Sequence, residues 1–302
     1  MESLISKTNH AAVVIGGVNM DIGGKTLKKP VLADSNPGII RATPGGVGRN
    51  IAHDMRLLGL DVSLIAAMGD DFYASAIEES CNELGIDLSM SRRFPGQRSS
   101  TYLYVADETG EMHIGISDMD IVKNISPDYL KGYMASLSRF DAVVLDANLE
   151  QESIAYAAEN CSLPLYADPV STVKAMKLIP SLSRLRAIKP NALEAEAMTG
   201  ERNMEKAAAV FIKAGVERVF ISLGSEGMLA ADRERCIQLP CFKGPIINTT
   251  GAGDAATAAI IWADLNQMSL EDTARAALLA GSLTCAHNGA NSPALGNLSK
   301  LL

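Results

Sequence analysis

Seven residues, Asn248-Thr249-Thr250-Gly251-Ala252-Gly253-Asp254, carry the most legible chemistry in this chain. They lie between the apolar stretch Pro245 to Ile247 and the run Ala255-Ala256-Thr257-Ala258-Ala259-Ile260-Ile261-Trp262, which has the composition of a buried helix. Two glycines at the mouth of a helix let a ligand approach the backbone closely. The amides of a first helical turn lack intrahelical partners and point outward, in a field that favours negative charge. Gly251, Ala252 and Gly253 therefore offer an anion hole, with the carboxylate of Asp254 beside it. That pairing suits phosphoryl transfer to an alcohol: amides take the migrating charge, and the carboxylate orients and deprotonates the hydroxyl. The plain alternative is a glycine-bearing helix start with an N-terminal Asp, and Gly-Ala-Gly-Asp by itself does not separate the two.

Two rival glycine motifs fail on context. Gly251-x-Gly253-x-x-Ala256 fits the relaxed dinucleotide fingerprint, with Glu271 about 20 residues further on. That fingerprint needs a strand after its helix, whereas Leu270 to His287 has Ala274, Ala277, Leu278 and Gly281 on one helical face. Gly24-Lys25-Thr26 resembles the tail of a phosphate-binding P-loop, but Asn19 stands where its first glycine belongs and Pro30 discourages the helix that must follow. Any nucleotide-phosphate chemistry falls to the Gly251–Asp254 cradle.

Four further clusters have polar groups suited to a substrate. Pro44-Gly45-Gly46-Val47-Gly48-Arg49-Asn50 opens an amphipathic helix; its glycines admit a ligand, and Asn50 can donate to and accept from a sugar hydroxyl. A tight turn into a helix explains those glycines equally well, but not Asn50. Asn19 and Asp21 follow the first strand, where a carboxylate can accept from two vicinal hydroxyls; an Asx turn is the alternative. In Lys189-Pro190-Asn191-Ala192-Leu193-Glu194, Asn191 is a natural N-cap with Glu194 as its capping-box partner. The functional alternative is that Asn191 and Glu194 arrange Mg²⁺ and its waters. Ser222-Leu223-Gly224-Ser225-Glu226-Gly227 reads as a turn, or as a loop over which a nucleotide lies. The histidines, His10, His53, His113 and His287, have no metal-like spacing.

The elements that must hold these groups follow from composition and periodicity. With 47% apolar and only 5% aromatic residues in 302, the core is aliphatic, which suits a parallel sheet under Ala-rich helices. A net charge of −8 without a long basic run argues against a polyanion partner. Five cysteines without a CxxC pair read as free thiols, and the first apolar run, Ala11 to Ile15, is too short for a signal or a membrane span, so a soluble cytoplasmic protein is expected.

Strand-length apolar runs recur at Ala12–Ile15, Val62–Ala67, Ala142–Leu145, Leu165–Ala167, Ala187–Ile188 and Val219–Ser222, with helical patterns between them. The fold class expected is α/β, a doubly wound, mostly parallel sheet flanked by helices. Two stretches break the alternation. Ser100 to Ala106 and Met112 to Ile116 form a hairpin around Asp107-Glu108-Thr109-Gly110, and the Gly- and Pro-rich segment 19–43 is its companion. This predicts a core of residues 1–18, 44–96 and 119–302, and a small β lid of 19–43 and 97–118 over the substrate site. A lid with one apolar face left over also predicts a homodimer through the lids.

Taken together and in this order, Gly45-Gly46-Val47-Gly48-Arg49-Asn50, Asn191-x-x-Glu194 and Thr250-Gly251-Ala252-Gly253-Asp254 resemble the ribokinase-like (PfkB-type) carbohydrate kinases, over essentially the whole chain. The resemblance implies that Asp254 is the catalytic base and that Gly251, Ala252 and Gly253 form the anion hole. It implies that ATP lies along Ser222 to Gly227 (Ser222, Gly224, Gly227), Thr250 and Asn288, with Asn191 and Glu194 organising Mg²⁺. Asn19, Asp21, Gly45, Gly46 and Asn50 would hold the sugar. Within the family, Ala33 to Gly38, Pro44 to Asn50, Thr109 to Met112 and Asn248 to Ala255 look most like the pseudouridine kinases. Pseudouridine has a free N1–H that uridine lacks, and a site built around it leaves a buried acceptor unpaired when uridine binds. Ser35, Asn36, Thr101 and Asn148 are the candidates to line that base. Many family members carry Asp where this chain has Asn248, near a monovalent-cation site; the lost formal charge weakens the case for K⁺. The helix N-terminus is expected to lower the pKa of Asp254 and keep it ionised.

Overall fold

The computed structural model describes residues 10–302, so residues 1–9 of the expected core segment 1–18 lie outside the described residues. The first strands are β1 (Ala11–Ile15), β2 (Asn19–Thr26), β3 (Gly38–Gly45), β4 (Asp61–Ile65), β5 (Ala67–Met68), β6 (Arg92–Arg93) and β7 (Thr101–Ala106). They continue as β8 (Met112–Asp118), β9 (Ala142–Asp146), β10 (Leu165–Asp168), β11 (Leu185–Ile188), β12 (Arg218–Ser222), β13 (Met228–Ala231) and β14 (Cys236–Leu239). The helices are α1 (Val47–Leu57), α2 (Phe72–Glu83), α3 (Pro127–Lys131), α4 (Gln151–Asn160), α5 (Thr172–Ala175), α6 (Ala192–Thr199), α7 (Met204–Lys213), α8 (Ala252–Leu265), α9 (Leu270–Cys285) and α10 (Leu298–Leu301).

The main sheet runs β14-β13-β12-β11-β10-β9-β1-β4. Pairing is parallel from β4 to β12 and antiparallel for β13 and β14. Its strands are apolar on both faces because both faces are covered. Ala12, Val14, Ala142 and Val144 turn towards one core with α1, α2, α8 and α9, whereas Val13, Ile15, Val143 and Leu145 turn towards a second with α4 and α7. This is the expected doubly wound α/β architecture. The run Val62–Ala67 divides into β4 and the short β5, which pairs with β6.

The second sheet has the order β3-β2-β7-β8, with β2 parallel to β7 and its other pairings antiparallel. Segments 19–43 and 97–118 thus meet in one small sheet, as the alternation predicts. Gly24, Lys25 and Thr26 lie within β2, which disposes of the P-loop. The strand β3 extends through Pro44 and Gly45, so the sheet runs without a break into the glycine block that opens α1.

Helix α8 is buried on every residue from Ala255 to Ala263, and alanines let the sheet, α1 and α9 close around it. Its C-terminal end is fixed by Asp264. That carboxylate accepts from Arg186 Nε and Nη2, each at 2.8 Å, from Arg218 Nη1 at 2.8 Å and from the Tyr166 hydroxyl. Arg186 is the second residue of β11 and Arg218 the first of β12, so α8 is bound to the N-terminal edge of the sheet. Asp264→Ala leaves two guanidiniums without their shared anion. Chemical denaturation is expected to show a loss of about 3 kcal/mol, the low end for a broken buried pair because Arg186 is partly in water; an unchanged midpoint would contradict the clamp.

Candidate active site

The C-terminal ends of the parallel strands, where open α/β sheets bind ligands, gather the polar groups that the main sheet contributes. Gly16 and Gly17 follow β1, Asp146 ends β9 and Asn148 lies just beyond, Asp168 ends β10, Lys189 follows β11 and Ser222 ends β12. Helix α8 starts at the same edge.

The turn into α8 is built as the sequence requires. Gly251 caps the helix with φ +82°, and a Cβ there would stand 1.9 Å from the Ala290 carbonyl oxygen, so only glycine fits. Asn248 Oδ1 accepts from Thr250 N at 3.0 Å, while Asn248 Nδ2 donates to the Asn288 carbonyl at 3.1 Å. The amide of Ala252 donates back to Thr249 at 3.3 Å; those of Gly253 and Asp254 follow in the first turn, where no carbonyl one turn earlier in the helix can receive them. The chain continues from α8 into α9 with no strand between, which excludes the dinucleotide unit.

Asp254 departs from expectation in its protonation. Burial pushes its pKa up to about 8, helped by the charges of Asp168 and Asp146 and opposed by the Asn50 hydrogen bond and the Lys189 ammonium. The helix N-terminus is expected to lower it; lost hydration and the strand-end carboxylates raise it instead. The isolated sequence conceals this, because Asp146 and Asp168 reach Asp254 only through the sheet topology.

Lys189 is the group that sequence reasoning missed. Its side chain is buried, and Nζ lies 3.5 Å from Asp168 Oδ2. A Cβ on Gly253 would sit 3.3 Å from that ammonium, which therefore flanks the first turn of α8. Burial alone would lower its pKa, but Asp168, Glu194 and Asp254 outweigh that and raise it. Thr257 on α8 holds Asp168 Oδ2 at 2.7 Å, which orients the pair. A carboxylate closing an apolar strand, as in Leu165-Tyr166-Ala167-Asp168, was the available signal.

On the acceptor side the predicted residues converge. Asn19 Nδ2 donates to Asp21 Oδ1 at 2.6 Å, and Asp21 lies so close over Gly45 that a Cβ there would be 2.0 Å from its Oδ2. Gly46, at φ +97°, packs on the Gly17 carbonyl and on Asn19 Oδ1. Asn50 Nδ2 donates to Asp254 Oδ2 at 2.9 Å, joining this block to the first turn of α8. Thr101 pairs with Met20 at the near end of β7, and Asn148 packs on Gly17 and accepts from Lys174 Nζ at 2.6 Å. Tyr102 and Tyr104, also unforeseen, stand on the Asp21 face of the small sheet.

Ser35 and Asn36 are not brought to this place. They lie in the loop joining the far ends of β2 and β3, about 23 Å along the strand from Asn19 at 3.3 Å per residue. Asn36 is occupied within that loop, accepting from Val31 N and donating to the Val31 and Asp34 carbonyls. The Asn36 amide serves the turn instead.

On the nucleotide side, Asn191 and Glu194 form the capping box of α6: Asn191 Oδ1 accepts from Glu194 N at 2.9 Å, and Glu194 Oε2 from Asn191 N at 2.8 Å. Ser222 N donates to the Pro190 carbonyl at 2.9 Å, setting Ser222 beside Asn191. Gly224 and Gly227 take φ +59° and +101°, and Gly227 abuts the Leu239 carbonyl. Among the described residues no three His, Cys, Asp or Glu side chains converge as a metal cage.

The raised pKa of Asp254 has a consequence for stability. The folded protein holds a proton that the unfolded chain releases near 3.8, so stability falls as pH rises from that value to about 8. Asp254→Asn is expected to raise Tm, by about 2–4 °C per kcal/mol relieved in a domain of this size, and by more at pH 8.5 than at pH 5. Scanning calorimetry at the two pH values checks this; equal differences would contradict it.

Comparison with known proteins agrees with this geometry. The family model described as pfkB family carbohydrate kinase matches residues 9–295. The pseudouridine kinase of Escherichia coli strain K12 is 36% identical over 291 residues, 94% of this chain and 93% of that protein. A carbohydrate kinase from Agrobacterium tumefaciens is similar in structure at a TM-score of 0.85, with 25% identity, 97% of this chain and 98% of that one covered. The Arabidopsis thaliana ribokinase complexed with ribose and ATP has a TM-score of 0.84 at 22% identity, over 97% and 99% of the two chains. With the family model and the Escherichia coli relative in agreement over nearly the whole chain, the chain belongs to the pfkB family of carbohydrate kinases, phosphotransferases that act on an alcohol.

Proposed function

We propose that this protein is an ATP-dependent kinase that phosphorylates the 5′-hydroxyl of pseudouridine, giving pseudouridine 5′-phosphate and ADP. The observation that carries the reaction is Asp254, held by Asn50 at 2.9 Å beside the open amides of α8. The acceptor hydroxyl lies between Asp254 and those amides, with its sugar on Asn19, Asp21 and the Gly45–Gly46 backbone. ATP lies over Ser222 to Gly227 and against Thr250 and Asn288, its γ-phosphoryl at the first turn of α8. The transfer has a loose transition state, so the chain supplies position and positive potential, from the amides and from the Lys189 ammonium.

Mg²⁺ belongs to this reading as a companion of the nucleotide. Asn191 Oδ1 and Glu194 Oε2 are both committed to the capping box, so they fit an ion carried on phosphate oxygens and reached through water. The free thiols fit a reducing cytoplasm, and among the described residues no helix is long and apolar enough to cross a membrane. The lid supplies the argument for a homodimer. Ile40, Leu103, Ile114 and Ile116 share one face by register and are exposed, a patch that a second lid would cover.

The choice of pseudouridine rests on the Escherichia coli relative and on Thr101 and Asn148 at the site. A kinase for another nucleoside or for ribose is the second reading, favoured because the sugar side is the better formed part of the site. A coupled ATP/ADP assay with pseudouridine, uridine and ribose separates them. Pseudouridine is expected to have the highest kcat/KM, and equal values would end the base-reading idea.

Asp254→Asn is expected to cut kcat by about 10²–10⁴-fold with little change in KM, and unaltered turnover would remove Asp254 as base. The base works deprotonated, so kcat/KM rises with pH towards about 8 and then levels. A profile flat from pH 6 to pH 9 would contradict that assignment. Ile114→Lys is expected to give monomers in sedimentation, and a dimer unchanged by it would place the interface elsewhere.

A further inference from the structure

Beneath the proposed site lies a polar cluster that phosphoryl transfer does not itself require. Arg49, His53 and Asp54 project from α1, and Arg49 and Asp54 are buried. Arg49 Nε, His53 Nδ1 and Asp54 Oδ2 have no hydrogen-bond partner among the described residues. Unpaired buried polar atoms cost about 1–3 kcal/mol each, so packing alone would favour apolar side chains here. A helix that tolerates the cluster points to a use for it.

The cluster centres on Asn291. Its Nδ2 donates to Asp54 Oδ1 at 2.9 Å and to the Asn50 carbonyl at 3.2 Å, and its Oδ1 accepts from Arg49 Nη1 at 3.3 Å. Arg49 Nη1 also donates to Asn50 Oδ1 at 3.4 Å, and Nη2 to Ser80 Oγ at 2.7 Å. With its oxygen turned to the guanidinium, Asn50 presents its NH₂ to Asp254. Asn291 belongs to the loop that also supports the anion hole, through Ala290 against Gly251 and Asn288 on Asn248. One side chain therefore joins the turn that receives phosphate to the helix that receives the acceptor.

We propose that Asn291, with Arg49 and Asp54, is a positioning unit: it orients the Asn50 amide onto Asp254 and fixes the acceptor helix relative to the anion hole. The proposal rests on the kinase reading for its catalytic consequence. Asn291 makes no hydrogen bond to Asp254 itself, so its effect on that carboxyl passes through Asn50.

The test combines a kinetic cycle with a spectrum that needs no turnover. Asn291→Ala is expected to lower kcat by about 10- to 100-fold, the scale of a displaced catalytic group, with KM for ATP within about twofold. The double variant with Asn50→Ala is expected to be no slower than Asn50→Ala alone, because the two losses are one loss. Multiplying effects, or an unchanged kcat in Asn291→Ala, would overturn the proposal. Asn291→Ser serves in the same cycle should the alanine variant not fold. In ¹H–¹⁵N spectra of the unliganded protein, the Asn50 side-chain amide, identified by its disappearance in Asn50→Ala, is expected to shift and to exchange faster with water in the Asn291 variant. An identical resonance there would sink the positioning claim. If the unaltered protein phosphorylates none of the panel, the kinase reading fails, and the spectrum still decides whether Asn291 orients Asn50.

Discussion

The structure turns on a carboxyl group kept at the mouth of a helix that is buried almost along its whole length. Asp254 occupies the first turn of α8, and the rest of that helix is surrounded by sheet, α1 and α9. Burial makes the helix rigid, and rigidity lets a single side chain and a few amides keep fixed positions against a ligand. The same burial removes hydration from the carboxyl and exposes it to the fields of Asp146 and Asp168. Position and proton affinity therefore have one origin, and neither can be altered alone.

Both ends of α8 are restrained, by different means. At the N-terminal end Gly251 meets a backbone carbonyl, a steric contact that fixes where the turn can lie. At the C-terminal end Asp264 is held by two guanidiniums and a phenol, a set of directed hydrogen bonds. Bidentate pairing of this kind fixes an angle as well as a distance. The helix is thereby aligned along its axis by shape at one end and about its axis by charge at the other.

How much of this the sequence revealed depended on how local each signal is. Alternating apolar runs marked the parallel strands of the main sheet, because side-chain periodicity reports burial directly; β13 and β14 were not among them. Gly45 to Asn50 and Gly251 to Asp254 were legible because close backbone approach has few solutions other than glycine. The small second sheet was found from one hairpin and a Gly/Pro-rich companion. What stayed hidden needed contacts across long stretches of chain. Asn291 bonds to Asn50 across 241 residues, and no spacing rule connects them. Lys189 gave no sign of facing Gly253, since only the sheet order brings them together. Ser35 and Asn36 misled because polar residues in a turn look the same whether they serve a ligand or the loop.

The unbroken passage from β3 into α1 carries a mechanical consequence. Gly45 ends a lid strand, Gly46 bends with a positive φ, and the helix bearing Asn50 begins at once. No slack separates the small sheet from that helix. A tilt of the sheet must be taken up in a single glycine, or it turns the helix with it. Molecules built this way gain a direct lever: whatever moves the one element re-aims the other.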